Sequence, residues 1–409
     1  MLKHWIWLSQ RPGIGDVGCA RLLRMFGTAE RIYELTEAQC KTTAGFDSRW
    51  LAGVLDKDTT EAERILQDCD NKEIQILVYS DSLYPERLRN IANPPVVLYY
   101  KGTFPPLDEE VTIGIVGTRR CSAYGLLQAK QFSNLIANSG GIVVSGGARG
   151  IDTMALSGAL DSLMPVICVL GCGVDVVYPK ENASLFRAIQ QYGCLVSEYP
   201  PGTGVQRGHF PVRNRIISGL SVGVLVVEAP EGSGALITAN LALEQGRDVY
   251  TIPANIGAKH GAGSNRLLQE GAMAVFDGWE VLENYTHLYP GKLEDGRSRK
   301  NIQNLYQTRF GSRLPVFSPV TQLEDVERNP VEKPAQKPAE KPTVKPSVDT
   351  TNLNPEEKAV LDAMELEPLH LDVIIERSAL APARVLATLT MLQIKGKAVK
   401  LSGNCYKRL

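Results

Sequence analysis

Three segments of this chain place a glycine-bearing loop directly after an apolar run, two of them with arginine, an arrangement suited to holding a phosphate. Residues 143–155, VVSGGARGIDTMA, pass through Gly146, Gly147 and Gly150 into a helix-like stretch, with Arg149 inside the loop. Glycine lets the chain turn tightly and bring N–H groups close to a ligand, and the helix behind it aims its positive dipole end at the same point. Residues 111–120 end in Gly117-Thr118-Arg119-Arg120, and residues 222–234 end in a third loop carrying Gly232, Ser233 and Gly234. A fourth segment, FPVRNRII at 210–217, offers Arg213, Asn214 and Arg215, expected in a loop that runs into a helix. Guanidinium forks match phosphate oxygens, and an amide reaches backbone or base edges. With Lys180 from YPKEN, the expected crevice holds the cations Arg119, Arg149, Lys180, Arg213 and Arg215 and no obvious acidic ligands for a metal. Phe210, before a proline in a glycine-rich stretch, reads either as a platform for a nucleobase, a contact of about 1–3 kcal/mol, or as an anchor for the loop.

Groups that would do covalent chemistry are not apparent. The dinucleotide fingerprint is missing, because GTRRCSAYG carries arginines where its later glycines would stand, and no Gly-Lys-Ser/Thr phosphate loop occurs. Nucleotide phosphoribohydrolases on related sheets use PGGxGTxxE, with a catalytic Glu. The matching stretch here, PEGSGALIT from Pro230, has Thr238 at that place. The histidines at 4, 209, 260, 287 and 370 are isolated, and no His/Cys spacing suits a metal. The expectation is a binding site with neither cofactor nor metal.

Totals narrow the class further. At 409 residues the chain has room for two or three domains, and its formal net charge of -1 means that any affinity for nucleic acid must come from local clustering of Lys and Arg. No apolar run reaches membrane-span length, MLKHWIWLSQR lacks the features of a signal peptide, and the 8 cysteines form no CxxC pair. A cytoplasmic protein with reduced cysteines is expected.

The elements that would position the crevice follow from periodicity. Residues 1–70 show helical spacing throughout and are expected to form a small all-α domain of SAM or helix-hairpin-helix type. Its Arg11-Pro12-Gly13-Ile14-Gly15 turn reads either as a backbone phosphate contact or as a helix-capping turn. Over 71–288, strand-like and helix-like segments alternate, which predicts an extended Rossmann-like, doubly wound parallel sheet. Residues 289–350 form an expected linker, with KPAQKPAEKPTVKP suited to extended conformations. This is either a basic arm or a spacer. Residues 351–409 read as three helices and a hairpin, the outline of a winged helix. Lys395, Lys397, Lys400, Lys407 and Arg408 cluster around its wing, a pattern that suits DNA or a protein partner.

In order along the chain, GIVGTRRCSAYG, SGGARGIDTMA, LGCGVDVVYPKEN, SEYPPGT, FPVRNRIISGLS, VVEAPEGSGALITANLALEQGRDVYTIP and GSNRLLQEGA closely resemble the DNA-processing protein DprA/Smf family, as does the lead-in YPERLRNIANPPVVLYYKG. The resemblance implies a protein that binds and protects single-stranded DNA, forms a homodimer and helps load the recombinase RecA during natural transformation. Carried over by position, the candidate DNA contacts are Arg119, Gly146, Gly147, Arg149, Lys180, Phe210, Arg213, Asn214 and Arg215, to which the third loop adds Gly232 and Ser233. The chain departs from the family pattern at Leu156, where His is frequent, and at Ala254, where Pro-Gly is usual. Neither change removes a charge from the expected crevice. The alternatives to a strand binder are a nucleotide sensor or phosphoribohydrolase-like enzyme using the same cradle, and a protein adaptor acting through the winged helix.

Overall fold

The structure is a computed structural model that describes residues 2–297 and, with short gaps, 355–408. It separates into two compact units, Met1–Val326 and Glu327–Leu409. The expected linker falls largely outside the described residues. Its start is an exception, because Gly296 N donates to Ser139 Oγ and Glu294 N donates to Ser139 O, so residues 289–297 still pack on the first unit.

Helices α1 (Leu2–Ser9), α2 (Gly15–Phe26), α3 (Ala29–Glu34), α4 (Glu37–Thr42), α5 (Leu51–Leu55) and α6 (Thr60–Asn71) form the N-terminal bundle. Trp5, Trp7, Leu22 and Ile65 are buried in it. Arg11 donates to Trp7 O and pairs with Asp56 at 2.7 Å, so the turn that follows α1 is held within the bundle.

The sheet comprises β1 (Gln75–Val78), β2 (Val97–Gly102), β3 (Thr112–Val116), β4 (Ile142–Ser145), β5 (Val166–Val169), β6 (Cys194–Ser197), β7 (Gly223–Val226), β8 (Asp248–Thr251) and β9 (Met273–Ala274). Their spatial order is β1-β2-β6-β5-β4-β3-β7-β8-β9. From β6 through β9 all neighbours are parallel, whereas β2 and β1 add an antiparallel edge. Parallel strands covered on both faces need apolar residues at successive positions, and TIGIV, IVVS, VICV and GVLV are buried throughout.

Helices α7 (Glu86–Arg89), α8 (Ala123–Asn138), α9 (Ile151–Leu160), α10 (Ala183–Tyr192), α11 (His209–Leu220), α12 (Gly234–Glu244) and α13 (Ala262–Gln269) complete the unit. One core joins Ile113, Ile115 and Val143 to Phe132, Ile136 and Ala155. The other joins Val144, Ile167 and Val224 to Ile216, Leu220 and Ala239. Each fully buried Val, Leu or Ile contributes about 1.5–3 kcal/mol. This is the doubly wound sheet expected from the sequence. After β3 the chain crosses to β4 on one side and later returns to β7 on the other, which puts the switch point at the carboxyl ends of β3, β4 and β7.

The second unit contains α14 (Pro355–Asp362), α15 (Leu371–Ser378) and a sheet of order β10-β12-β11, from β10 (Leu369–His370), β11 (Ala398–Lys400) and β12 (Cys405–Arg408). Val360, Ile374, Leu389, Leu392 and Tyr406 form its core. The expected helix over 382–394 is described in part, and the turn at Ser402-Gly403-Asn404 lies outside the described residues. Lys395 is bonded to Glu357 at 2.7 Å and Arg408 approaches Asp362 at 3.9 Å, so part of the basic cluster faces acids of α14.

Candidate nucleic-acid interface

Two of the three glycine loops hold a carboxylate of the chain itself. In the first, Glu228 accepts from Ser122 N at 2.9 Å and from Ser122 Oγ at 2.5 Å, and Ser122 caps α8 by accepting from Gly125 N. A side chain at Gly125 would put its Cβ 2.3 Å from Glu228 Oε2, so the dipole end of α8 is closed from within. In the second, Asp152 sits in the first turn of α9 and accepts from Ala148 N at 3.3 Å. Gly146 and Gly147 are needed for packing: a Cβ on Gly146 would lie 2.7 Å from both Arg213 Nη2 and Asp152 Oδ2, and one on Gly147 would lie 2.6 Å from Cys168 Sγ. Gly147 also has φ of +65°, which glycine tolerates and other residues resist.

The third loop differs. Ser233 caps α12 through Ala235 N, and Gly232, at φ of +72°, and Gly234 are exposed, with open space where a Cβ would project. No carboxylate is bonded there among the described residues. Opposite charge is favoured at such a helix start.

These loops surround a crevice of about 1050 Å³ at the switch point. Arg119 and Arg120 line it from the β3 end, Gly232–Gly234 from the β7 end, Lys259 and His260 from the β8 end, and Arg207, Phe210 and Asn214 from α11 and its approach. Arg119, Arg120, Arg207 and Lys259 are exposed, and among the described residues none has an ion-pair partner. The Arg119 guanidinium lies 5.3 Å from the Phe210 ring centroid, and Tyr178 flanks the same ring at 5.8 Å. The half-buried Phe210 thus presents an aromatic surface with a cation over it.

Several expected residues are placed differently. The segment 210–215 is helical, because α11 begins at His209, two residues before Pro211, and proline is tolerated in a first turn. Positions 213 and 215 are then about 200° apart around the helix. Arg213, 3% exposed, forms part of the crevice floor and donates from Nη1 to Gly146 O at 2.8 Å and to Val169 O. Its Nε has no hydrogen-bond partner among the described residues. Arg215 does not line the crevice. It is 6% exposed on the other side of α11, bonded to both oxygens of Glu198 at 2.8 and 2.6 Å, to Asp16 of α2 at 3.0 Å and to Asn93 O. Burial works against its charge, but Glu198 and Asp16 outweigh that and hold it protonated. Asn214 lines the crevice and bonds Gly234 O at 3.4 Å, tying α11 to α12. Arg149 is exposed, pairs with Glu181 at 2.6 Å and faces a small adjoining recess with Gly146 and Gly147. Lys180 is exposed beside it and lines neither space.

Two acids that the sequence reading did not place there, Asp152 and Glu231, also line the crevice. The sequence reading missed Arg207, Lys259 and His260 as lining groups. The loop after β8 was open to the same rule that found the others, because it too leaves a strand at its carboxyl end.

Burial pushes the Asp152 carboxyl up to about 6, against the opposing pull of Arg213. The raised value means that the folded chain binds this proton more readily than the unfolded chain, so the cost is full above about pH 6 and relieved as pH falls toward 4. Two units correspond to about 3 kcal/mol. The stability of the wild type relative to Asp152→Asn is therefore expected to fall by about that amount between pH 4 and pH 7, as measured by paired urea titrations.

A doubly wound sheet with exposed cations, an aromatic ring and an open helix start converging at its switch point defines a Rossmann-like α/β protein with a cationic strand-end crevice. The family model for DNA recombination-mediator protein A matches residues 75–286, and that for the DprA winged helix domain matches 338–404. The chain belongs to the DprA/Smf family. Protein Smf of Synechocystis sp. is 33% identical over 411 residues, which cover 99% of this chain and 98% of the relative. The DNA processing protein DprA of Streptococcus pneumoniae is 42% identical over 205 residues, covering 50% of this chain and 72% of the relative. The X-ray structure of the Streptococcus pneumoniae protein aligns at 32% identity with a TM-score of 0.60, covering 69% of this chain and 98% of that one. The winged-helix match agrees with the second unit. No helix among the described residues is long and apolar enough to cross a membrane.

Proposed function

We propose that the strand-end crevice binds single-stranded DNA. The observation that carries this reading is the convergence of four unpaired cations, Arg119, Arg120, Arg207 and Lys259, with Phe210 and the open start of α12 in one crevice. Phosphates would lie against the cations and the N–H groups of the third loop, while a base stacks on Phe210. Asn214 and the buried Arg213 would shape the floor, and Arg149 would continue the track along the adjoining recess, with Lys180 exposed beside it. Arg215 would act by holding α11 in place.

Thr238 and the lack of a nucleophile set in the crevice favour binding over turnover, with neither cofactor nor metal. The family's place in DNA recombination supports a role in handling incoming strands during natural transformation, in the cytoplasm. Loading of RecA and homodimerisation belong to the same proposal. Pairing two crevices would lengthen the track and raise affinity through effective concentration.

With about four phosphates neutralised, log K should fall against log salt with a slope of roughly -3. A titration of a labelled strand of about 30 nucleotides from low to moderate salt tests this. A flat response, or saturable binding of mononucleotides with no binding of the strand, would replace this reading with that of a nucleotide sensor.

A further inference from the structure

The carboxylate of Asp152 stands where the glycine loops would otherwise receive a phosphate. It accepts from Ala148 N at 3.3 Å in the second loop, at the start of α9, and it lines the crevice. The first loop closes on the same helix start, where Ile151 N donates to Thr118 O at 3.4 Å, so this single side chain stands where the two loops meet. Arg213 lies on the other flank of Gly146 and spends Nη1 on the carbonyls of Gly146 and Val169, so it forms no direct ion pair with Asp152 among the described residues. Glu228 repeats the arrangement at the start of α8. The anion positions at the starts of α8 and α9 are therefore occupied by fixed negative charge, while the open start of α12 and the outer ring of Arg119, Arg120, Arg207 and Lys259 are left for a ligand.

We propose that Asp152 is a specificity-determining residue that makes the crevice accept phosphodiester monoanions and reject phosphomonoester dianions. The inference rests on the strand-binding reading. A diester in a DNA backbone carries one charge and can be held from the outer ring alone. A terminal monoester is close to doubly charged at pH 8, and its further oxygens seek the inner amides, where Asp152 both takes a donor and repels the charge. Repulsion across a few ångströms of partly dry protein is strong enough to change affinity by an order of magnitude.

The test uses adenosine 5′-monophosphate as the dianion and adenosine 3′,5′-cyclic monophosphate as the diester, each competing with a labelled strand lacking a 5′-phosphate, at pH 8 and constant ionic strength. In the full-length wild type, the monoester is expected to compete no better than the cyclic diester, despite its larger charge. In Asp152→Asn, the ratio should move toward the monoester by about tenfold or more, with the strand bound at least as tightly as before. Asp152→Glu, which keeps the charge, should keep the wild-type ratio. A wild type that already prefers the monoester by tenfold, or an Asp152→Asn protein that melts as a folded chain yet keeps the wild-type ratio, would overturn the proposal. The wild-type comparison needs no variant and stands even if Asp152→Asn does not fold. Failure of the wild type to bind the strand would instead sink the reading on which the inference rests.

Discussion

Arg215→Ala is expected to cost about 3–5 kcal/mol of stability, because it leaves Glu198 buried and unpaired. In the folded state, both side chains are 8% exposed, and the guanidinium also reaches Asp16 and Asn93 O. Breaking such a pair costs more than the pair contributes, since the remaining carboxylate cannot return to water without opening the packing between α2 and α11. For a unit of this size the melting temperature should drop by roughly 10 °C. Strand affinity of the fraction that stays folded, measured well below the melting temperature, should change by less than about twofold, because Arg215 faces away from the crevice. Differential scanning calorimetry and a binding titration on the same preparation separate the two effects. A stable Arg215→Ala protein with lost strand affinity would put this arginine back among the phosphate contacts.

The second large effect concerns Arg119 and Phe210. The double substitution Arg119→Ala with Phe210→Ala removes a phosphate-seeking cation, a stacking surface and the cation-on-ring contact between them. Stacking contributes about 1–3 kcal/mol per base and the cation contact about 0.5–1 kcal/mol, so strand affinity should fall by about 100-fold. The salt slope should become shallower by about 0.7, the share of one phosphate on a single strand. Stability should hold to within about 1 kcal/mol, because Arg119 is exposed and Phe210 is only half-buried. A double-mutant cycle would show coupling between the two positions if the ring and the guanidinium act as one surface.

Most of the fold was legible because period and punctuation agree in this sequence. Short Val/Ile runs alternate with helix-length segments over 71–288, and the strands and helices of the sheet follow that alternation along the chain. The glycine loops were legible as strand-end turns, and the family resemblance covers most of the central sheet. The charge inventory of the crevice was less so. Arg213 and Arg215 look equivalent when they stand where a loop runs into a helix. In a helix that starts at His209 they lie on opposite faces, and one is committed to Glu198, which sequence spacing does not reveal. Asp152 was passed over because an acid in the first turn of a helix is ordinary, and only the fold shows that it accepts from Ala148 N and lines the crevice. Lys259 and His260 were missed because the loop after β8 was not read as a strand-end turn, although the sheet brings it to the same edge as the others.

The most direct test of the crevice as the strand-binding site is hydrogen exchange of the full chain with and without a strand of about 30 nucleotides. The account predicts slowed exchange of amides at 117–120, 207–214, 231–235 and 258–260, with little change along 198–203, where Glu198 and its neighbours face away from the crevice. Strand binding accompanied by protection elsewhere, with these four segments unchanged, would contradict it.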